Sequence, residues 1–544
     1  MTFLRFRLSS TSLIGLVSLY FALVLNYPFY AKILSLQPLT FSAQDAFLLT
    51  VPLFVFFVLN ACFQLLALPW LHKIVMPLLL IISATISYNA LFFDVYFTRD
   101  MLTNVMQTTL AESSRLITLP FVLWVGLFGG IPALLYLSVK VHYRPWLKEI
   151  AYRFAAIMLS ALVLVGIGTL FYQDYASFSR NNKTITALIV PSNFIGAGIS
   201  KYKRWLRNNT PHQQIDQNAA QAKPDSYRHI TVIVMGETTR AQNWGLNGYS
   251  RQTTPLLAKR GDQIINFRNV ESCDTFTAGS VPCLFSNMDR ANYDALKAEK
   301  SDTILDILQR SGVEVVWLDN DTGCKGVCDR VPYKDVTALN LPEFCRNGEC
   351  LDNILLPELD RVLAENERTG KDIVVVLHTM GSHGPTYYER YSPEFRYFSP
   401  TCDTNEINRC TKAELVNTYD NSIIYIDQFI DKVIQRLEYR DDVEGSVIYL
   451  SDHGESLGEK GIYLHSTPRS IAPEVQTKVP MVMWFNSRWW QNEGIDFNCL
   501  TQNARTKPYS HDNFYSTIYG IMDMETRNTS YRAEMDIVGQ CKKR

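Results

Sequence analysis

Glu237, Asp452 and His453 supply two carboxylates and an imidazole, a mixed oxygen and nitrogen donor set that suits zinc and leaves a coordination position open. Asp452 and His453 are neighbours, so both reach one ion only if the chain turns sharply, and Gly454 permits that turn. Taken singly, each residue has a plainer reading: Glu237 caps a helix, and Asp452-His453 forms an ordinary turn. A nucleophile is offered by the segment from Ser272 to Cys283, SCDTFTAGSVPC, which a disulfide from Cys273 to Cys283 would clamp into a tight loop. Thr277 lies in it, with Thr275 and Ser280 as rival hydroxyls, and chemistry alone does not choose among the three. A threonine hydroxyl is a poor nucleophile at neutral pH, but coordination to zinc lowers its pKa and aims it at phosphorus. Discharge of a covalent phosphothreonine to a second acceptor would complete a ping-pong transfer. Lys325, His383 and His465 are candidates to neutralise phosphate charge, since a phosphoryl transition state gains mainly from placed cations and donors. Either histidine could instead hold a second zinc. The plainer readings are structural histidines and an exposed Lys325 between two cysteines.

Strands must position these groups. From His229 onward, short β-rich runs alternate with helical patterns, as in an α/β domain with a mostly parallel sheet. The runs are Ile230 to Met235, Val313 to Leu318, Ile373 to Leu377 and Val447 to Leu450. They lead into Gly236-Glu237, Asp319-Asn320-Asp321, His378 through His383, and Ser451-Asp452-His453-Gly454 respectively. Open α/β sheets bind ligands at the carboxyl ends of their strands, where all of these polar groups fall.

The first 172 residues are of another kind. Five apolar runs approach the length of a hydrocarbon core: Ser12 to Tyr30, Ala46 to Leu68, Ile74 to Phe93, Ile117 to Val139 and Phe154 to Tyr172. The first is read as a retained helix, being long and lacking a small-residue cleavage site before the next span. Arg5, Arg7, Lys73, Lys140, Arg144, Lys148 and Arg153 flank the spans on one side, against Lys32, Arg99 and Arg115 on the other. That asymmetry places the amino terminus in the cytoplasm and everything after Tyr172 outside. Ten of the eleven cysteines lie in that outer part, as suits an oxidising compartment. Cys273 and Cys283, Cys324 and Cys328, Cys345 and Cys350, and Cys402 and Cys410 make close pairs, leaving Cys499 and Cys541 near the carboxyl end. Irregular spacing without CxxC argues against a zinc ribbon. Three parts are expected: residues 1–172 in the membrane, a polar linker at 173–227 with a surface-lying helix around Ile199 to Leu206, and an α/β catalytic domain at 228–544. A net charge of -1 gives no sign of a nucleic-acid partner.

The segments VMGETTRAQNWGLNGY from Val234, SVPCLFS from Ser280, HTMGSHGPTYY from His378 and SDHGESLGEKGIYLH from Ser451 resemble those of the lipid A phosphoethanolamine transferases. That family, which includes the mobile colistin-resistance enzymes, falls within the alkaline phosphatase and sulfatase superfamily, and the resemblance runs over essentially the whole chain. It implies a five-helix transmembrane domain followed by a periplasmic domain of alkaline phosphatase type, in the bacterial inner membrane. It makes Thr277 the nucleophile and a zinc ligand together with Glu237, Asp452 and His453, one zinc being held tightly and a second being compatible. Lys325, His383 and His465 fall where the family binds phosphoethanolamine. Asn104, Thr108 and Glu112 match positions near the donor lipid, spaced four apart as on one helical face. Some relatives carry Asn four residues before the lysine, where this chain has Asp321, and neighbouring Asn320 is taken as the ligand instead. Asp274 and Gly279 also depart from the pattern without removing a group the mechanism needs.

The implied reaction moves phosphoethanolamine from phosphatidylethanolamine to a phosphate of lipid A, with resistance to polymyxins and other cationic peptides as its consequence. The implied partners are the two lipids and the surrounding membrane, and a monomer is expected. The alternative is a related phosphoethanolamine or glycerophosphate transferase acting on core oligosaccharide or a periplasmic glucan; the GSHGPTY and SVPCLFS segments favour lipid A. A non-catalytic sensor would have lost a required group, yet all four are present. A transporter would place charges in the spans, where they are nearly absent.

Overall fold

The computed structural model describes residues 7–40, 45–107, 117–222, 227–525 and 530–543. The chain divides into two compact units, one reaching to Asn209 and one beginning at Thr210.

The first unit is helical. α1 (Ser10–Leu25) and α2 (Tyr27–Leu36) form a pair bent by 45°. Asn26 sits at the bend, fully buried; its amide donates to the Val190 carbonyl (2.8 Å) and its Oδ1 accepts from the Val190 N–H (2.9 Å). The bend therefore leaves no orphaned amide group in an apolar setting. α3 (Ala46–Leu66), α4 (Leu71–Phe93), α6 (Leu119–Ser138) and α7 (Trp146–Asn181) follow, with α5 (Arg99–Gln107) between α4 and α6. Four helices among the described residues are long and apolar enough to cross a membrane, five if the bent pair is one span. Leu123, Leu134, Leu162 and Leu170 stand exposed on α6 and α7, a surface that suits lipid and not water. α7 passes the expected end of the fifth span at Tyr172 with one non-helical residue, Phe171. α8 (Ser192–Asn209) closes this unit and exposes Ile195, Ile199, Tyr202 and Trp205 beside its lysines and arginines. The break between units thus falls at Asn209, inside the segment expected as linker, because helix continues through most of it.

The second unit is built on an eight-stranded mixed sheet. Its strands are β1 (Arg228–Gly236), β2 (Ile265–Glu271), β3 (Glu314–Asp319), β4 (Tyr333–Asp335), β5 (Ile373–His378), β6 (Val443–Ser451), β7 (Lys478–Phe485) and β8 (Tyr509–Ser510), in the order β8-β2-β7-β6-β1-β5-β3-β4. The run from β6 to β4 is parallel, and β7 is antiparallel to both of its neighbours. β1, β5 and β6 are almost unbroken apolar runs and buried nearly throughout, as parallel strands covered on both faces must be. α10 (Leu355–Thr369) packs on β3 and β5, and α11 (Lys412–Gln435) on β6. α11 starts at a capping box in which Thr411 and Glu414 satisfy each other's backbone N–H groups. The four expected strand runs are the adjacent set β6, β1, β5 and β3, so their polar carboxyl ends meet at one edge. Five disulfides join Cys273 to Cys283, Cys324 to Cys328, Cys345 to Cys350, Cys402 to Cys410 and Cys499 to Cys541.

Candidate active site

Glu237 follows β1 directly and is fully buried. Gly381 makes room for it: its φ is +53°, and a Cβ there would stand 2.4 Å from the Glu237 carbonyl oxygen. Asp452 and His453 follow β6, the next strand in the sheet, and both are wholly buried. Asp452 Oδ1 accepts from the Thr238 N–H (3.1 Å) and the His453 N–H (2.7 Å), which aims Oδ2 at the His453 ring, 3.5 Å from Nε2. His453 Nδ1 donates to the Gly454 carbonyl at 2.8 Å and so turns Nε2 inward, 3.3 Å from Glu237 Oε1. A Cβ on Gly454 would lie 2.0 Å from the Val475 carbonyl oxygen, so the turn that lets neighbouring Asp and His converge requires glycine. Tyr419 of α11 braces the loop after Glu237, donating to the Thr238 carbonyl (2.7 Å) and accepting from the Arg240 N–H (3.0 Å).

Thr277 is the first residue of the short helix α9 (Thr277–Leu284), and its backbone N–H is one of the helix's unsatisfied donors. Its hydroxyl donates to Glu237 Oε2 at 2.9 Å and lies 3.4 Å from His453 Nε2. The rival hydroxyls are spent elsewhere: Thr275 donates to the Thr467 carbonyl, and Ser280 both donates to Asp274 O and accepts from Asp274 N. His511, which the sequence does not single out, joins this loop to the end of β6. Its Nδ1 accepts from the Cys273 N–H (3.1 Å) and its Nε2 donates to the Ser451 carbonyl (3.1 Å). Burial pushes its imidazole down to about 3, so it stays neutral and keeps that tautomer.

The phosphate-binding candidates divide into two groups. His383 and His465 face each other with ring centroids 5.4 Å apart, and the His465 ring is 4.5 Å from that of His453. His465 Nδ1 meets Glu455 Oε2 at 2.7 Å, and the Tyr387 hydroxyl donates to the other Glu455 oxygen. Burial pushes the His383 imidazole down to about 3. Lys325, in the left-handed region at φ +53°, donates to the Thr322 carbonyl and stands 4.0 Å from Asp321 Oδ2. Asn320 turns the other way, its amide donating to the Cys350 carbonyl and to Asp352 Oδ1. Asp321 instead shares a group with Glu237 and His378, ligand-type atoms all within 4.8 Å of one another. Burial opposes charge on His378, yet its bond to Asp319 (3.0 Å) and the nearby Asp321 hold the imidazole up at about 9. Asn104 lies on α5, with its side chain outside the described atoms, while Thr108 and Glu112 lie outside the described residues.

The donor set fits a divalent cation. Asp452 Oδ2 is buried without a hydrogen-bond partner, although it points at His453. Burial and the neighbouring Glu237 drive the Asp452 carboxyl well above its usual range. Burial works the same way on Glu237, but the His453 charge outweighs it and holds that carboxyl low. The His453 imidazole, despite burial, is raised to about 10 by the two carboxylates. A cluster that grips a proton this way grips a cation in its place, with both carboxylates ionised. Glu237, His453 and His465 also offer ligand atoms within 4.8 Å of one another.

The family described as Sulfatase matches residues 229–524, and that described as Phosphoethanolamine transferase EptA/EptB matches residues 55–206. Phosphoethanolamine transferase EptA of Escherichia coli K12 is 42% identical over 533 residues, covering 97% of this chain and 96% of that protein. Phosphatidylethanolamine transferase Mcr-1 of Escherichia coli is 35% identical over 536 residues, 96% of each. Among solved structures, the integral membrane lipooligosaccharide phosphoethanolamine transferase A of Neisseria meningitidis is 58% identical with a TM-score of 0.66, covering 99% of this chain and all of that one. With both units matched and full-length relatives above 30% identity, the chain belongs to the EptA/EptB phosphoethanolamine transferases, whose catalytic unit is of the sulfatase type.

Proposed function

We propose that this protein transfers phosphoethanolamine from phosphatidylethanolamine to a phosphate of lipid A, through a phosphodiester formed on Thr277. One observation carries the reading: of the three hydroxyls in the clamped loop, Thr277 alone reaches the buried carboxylate and histidine cluster, 2.9 Å from Glu237 Oε2. Thr277 Oγ1 attacks phosphorus as its hydroxyl proton passes toward Glu237 Oε2, the bond to the diacylglycerol oxygen breaks, and that oxygen takes up the proton as diacylglycerol leaves. In the second half a lipid A phosphate oxygen gives up its proton and attacks the same phosphorus, and Thr277 departs with its hydroxyl proton restored.

Glu237, Thr277, Asp452 and His453 would hold the metal, which we take to be zinc from its mixed nitrogen and oxygen donors. When bound, zinc lowers the hydroxyl pKa and offsets charge on the phosphoryl oxygens. His383 and His465 would be the pair for a second zinc. Without one, His383 acts as a neutral hydrogen-bond donor beside the phosphoryl group, and Glu455 keeps the His465 ring oriented. Lys325 meets the phosphate charge from the side of Asp321. Asn104, Thr108 and Glu112 are taken as contacts to the donor lipid. The protein would work from the bacterial inner membrane with its catalytic unit in the periplasm, where its five disulfides persist. Adding an amine to anionic lipid A weakens its attraction for polymyxins.

Mass spectrometry of lipid A from cells making equal amounts of wild type or Thr277→Ala tests the reading. A phosphoethanolamine adduct with wild type alone is expected. An adduct that survives Thr277→Ala removes the nucleophile, and one found on another envelope glycan instead removes the acceptor.

A further inference from the structure

At the amino end of the central strands, far from Thr277, a second histidine and carboxylate cluster lies buried. His229 on β1 pairs in register with Glu444 on β6. Glu493 arrives from the end of helix α12 (Ser487–Asn492), and Asp523 from the turn after helix α13 (Phe514–Ile521). His229 Nε2 is 3.5 Å from Glu444 Oε2, 4.0 Å from Glu493 Oε1 and 3.5 Å from Asp523 Oδ2. His229, Glu444 and Glu493 are only 4%, 1% and 7% exposed. The seven residue steps from His229 to Gly236 along β1 put this cluster about 23 Å from the catalytic end.

His229, Glu444 and Glu493 offer ligand-type atoms that all lie within 4.8 Å of one another. Glu444 Oε2 and Glu493 Oε1 are both buried without a hydrogen-bond partner, although Glu444 Oε1 accepts from Asn492. Buried carboxylate oxygens cost several kcal/mol when left unpaired, and two aimed at one imidazole need a common partner. Ligands about 2.0–2.1 Å from a tetrahedral zinc stand about 3.3 Å apart, close to the separations seen. An imidazole among carboxylates favours a transition-type divalent ion over calcium, whose ligands are all oxygen.

We propose that His229, Glu444 and Glu493, with Asp523 beside the imidazole, form a structural zinc site, separate from the catalytic one, that fastens the ends of α12 and α13 to the first residues of β1 and β6. Held by three buried protein ligands, it would stabilise the catalytic unit without touching substrate.

Full-length protein in detergent, stripped with EDTA and reloaded with Zn2+, provides the test. Glu493→Gln should hold one zinc per chain fewer than wild type and keep its transferase activity, which also shows that it folds. His453→Ala should still gain several degrees in Tm on adding Zn2+, while the double variant His453→Ala/Glu493→Gln should not. Anomalous scattering at the zinc edge from wild-type crystals should place a peak beside His229 Nε2. Equal zinc content in wild type and Glu493→Gln would overturn the site. So would a zinc-loaded crystal with no peak there, which would mean that the carboxyl groups share a proton instead.

Discussion

Between them, β1 and β6 carry histidine and carboxylate groups at both ends, and the two ends are finished differently. At the carboxyl end two ligands are aimed by backbone groups: Gly454 O orients His453, and the Thr238 and His453 amides orient Asp452. Thr277, half-buried, leaves that cluster open on one side. At the amino end the side chains of four elements close on one another, with Asn492 as an outer partner. Chemistry needs an open coordination position beside a fixed nucleophile, whereas a clamp needs closure.

The comparison breaks most completely at Asp452. Asp452→Asn should cut phosphoethanolamine transfer about 10^4-fold and remove the catalytic zinc, measured by lipid A mass spectrometry and metal content. A smaller loss tests whether second partners aim the ligands. His511→Ala frees both Cys273 and Ser451, and should cost about 10-fold to 100-fold in kcat with little change in zinc content. If kcat holds, the loop is positioned by its disulfide alone.

Asp321 and Asn320 sharpen the substrate side. Asp321→Ala should raise KM about tenfold, because its carboxylate lies among Glu237, His378 and Lys325. Asn320→Ala should mainly lower Tm, since its amide satisfies Cys350 O and Asp352. The reverse pattern would return the ligand role to Asn320.

The smallest effect calibrates buried carboxylates that have only backbone partners. Asp427 accepts from the Leu256 and Leu257 N–H groups, near Asp431 and Lys259, and burial raises it to about 7. A carboxyl raised on folding contributes stability that is full below its unfolded value, near 4, and is lost as pH climbs through about 7. The Tm of Asp427→Asn relative to wild type should therefore rise by a few degrees between pH 4.5 and 7.5. A flat difference would show that the two amides hold the carboxylate ionised.

Much of this was legible in the residues themselves, where the physics is local. Apolar runs longer than any strand mark the helices of the first unit, and continuous β-branched runs mark β1, β3, β5 and β6. Their polar sequels lie at the sheet edge because chain direction alone sends each parallel strand's end to one side. Asp452 with His453, and four of the cysteine pairs, are close in sequence, so one turn brings them together.

Tertiary structure decided what depends on distant segments. β7, reversed in direction, becomes a strand by pairing with β6, and β2, with less apolar character, by pairing with β7. The choice of Thr277 over Thr275 and Ser280 required Glu237, 40 residues away, and the seat of its loop required His511, 238 residues from Cys273. Asn320 and Asp321 are adjacent, yet consecutive side chains leaving a strand point to opposite sides. One turns to Asp352 and the other to Glu237, a division that composition carries no trace of and that only the packing of β3 against β5 imposes.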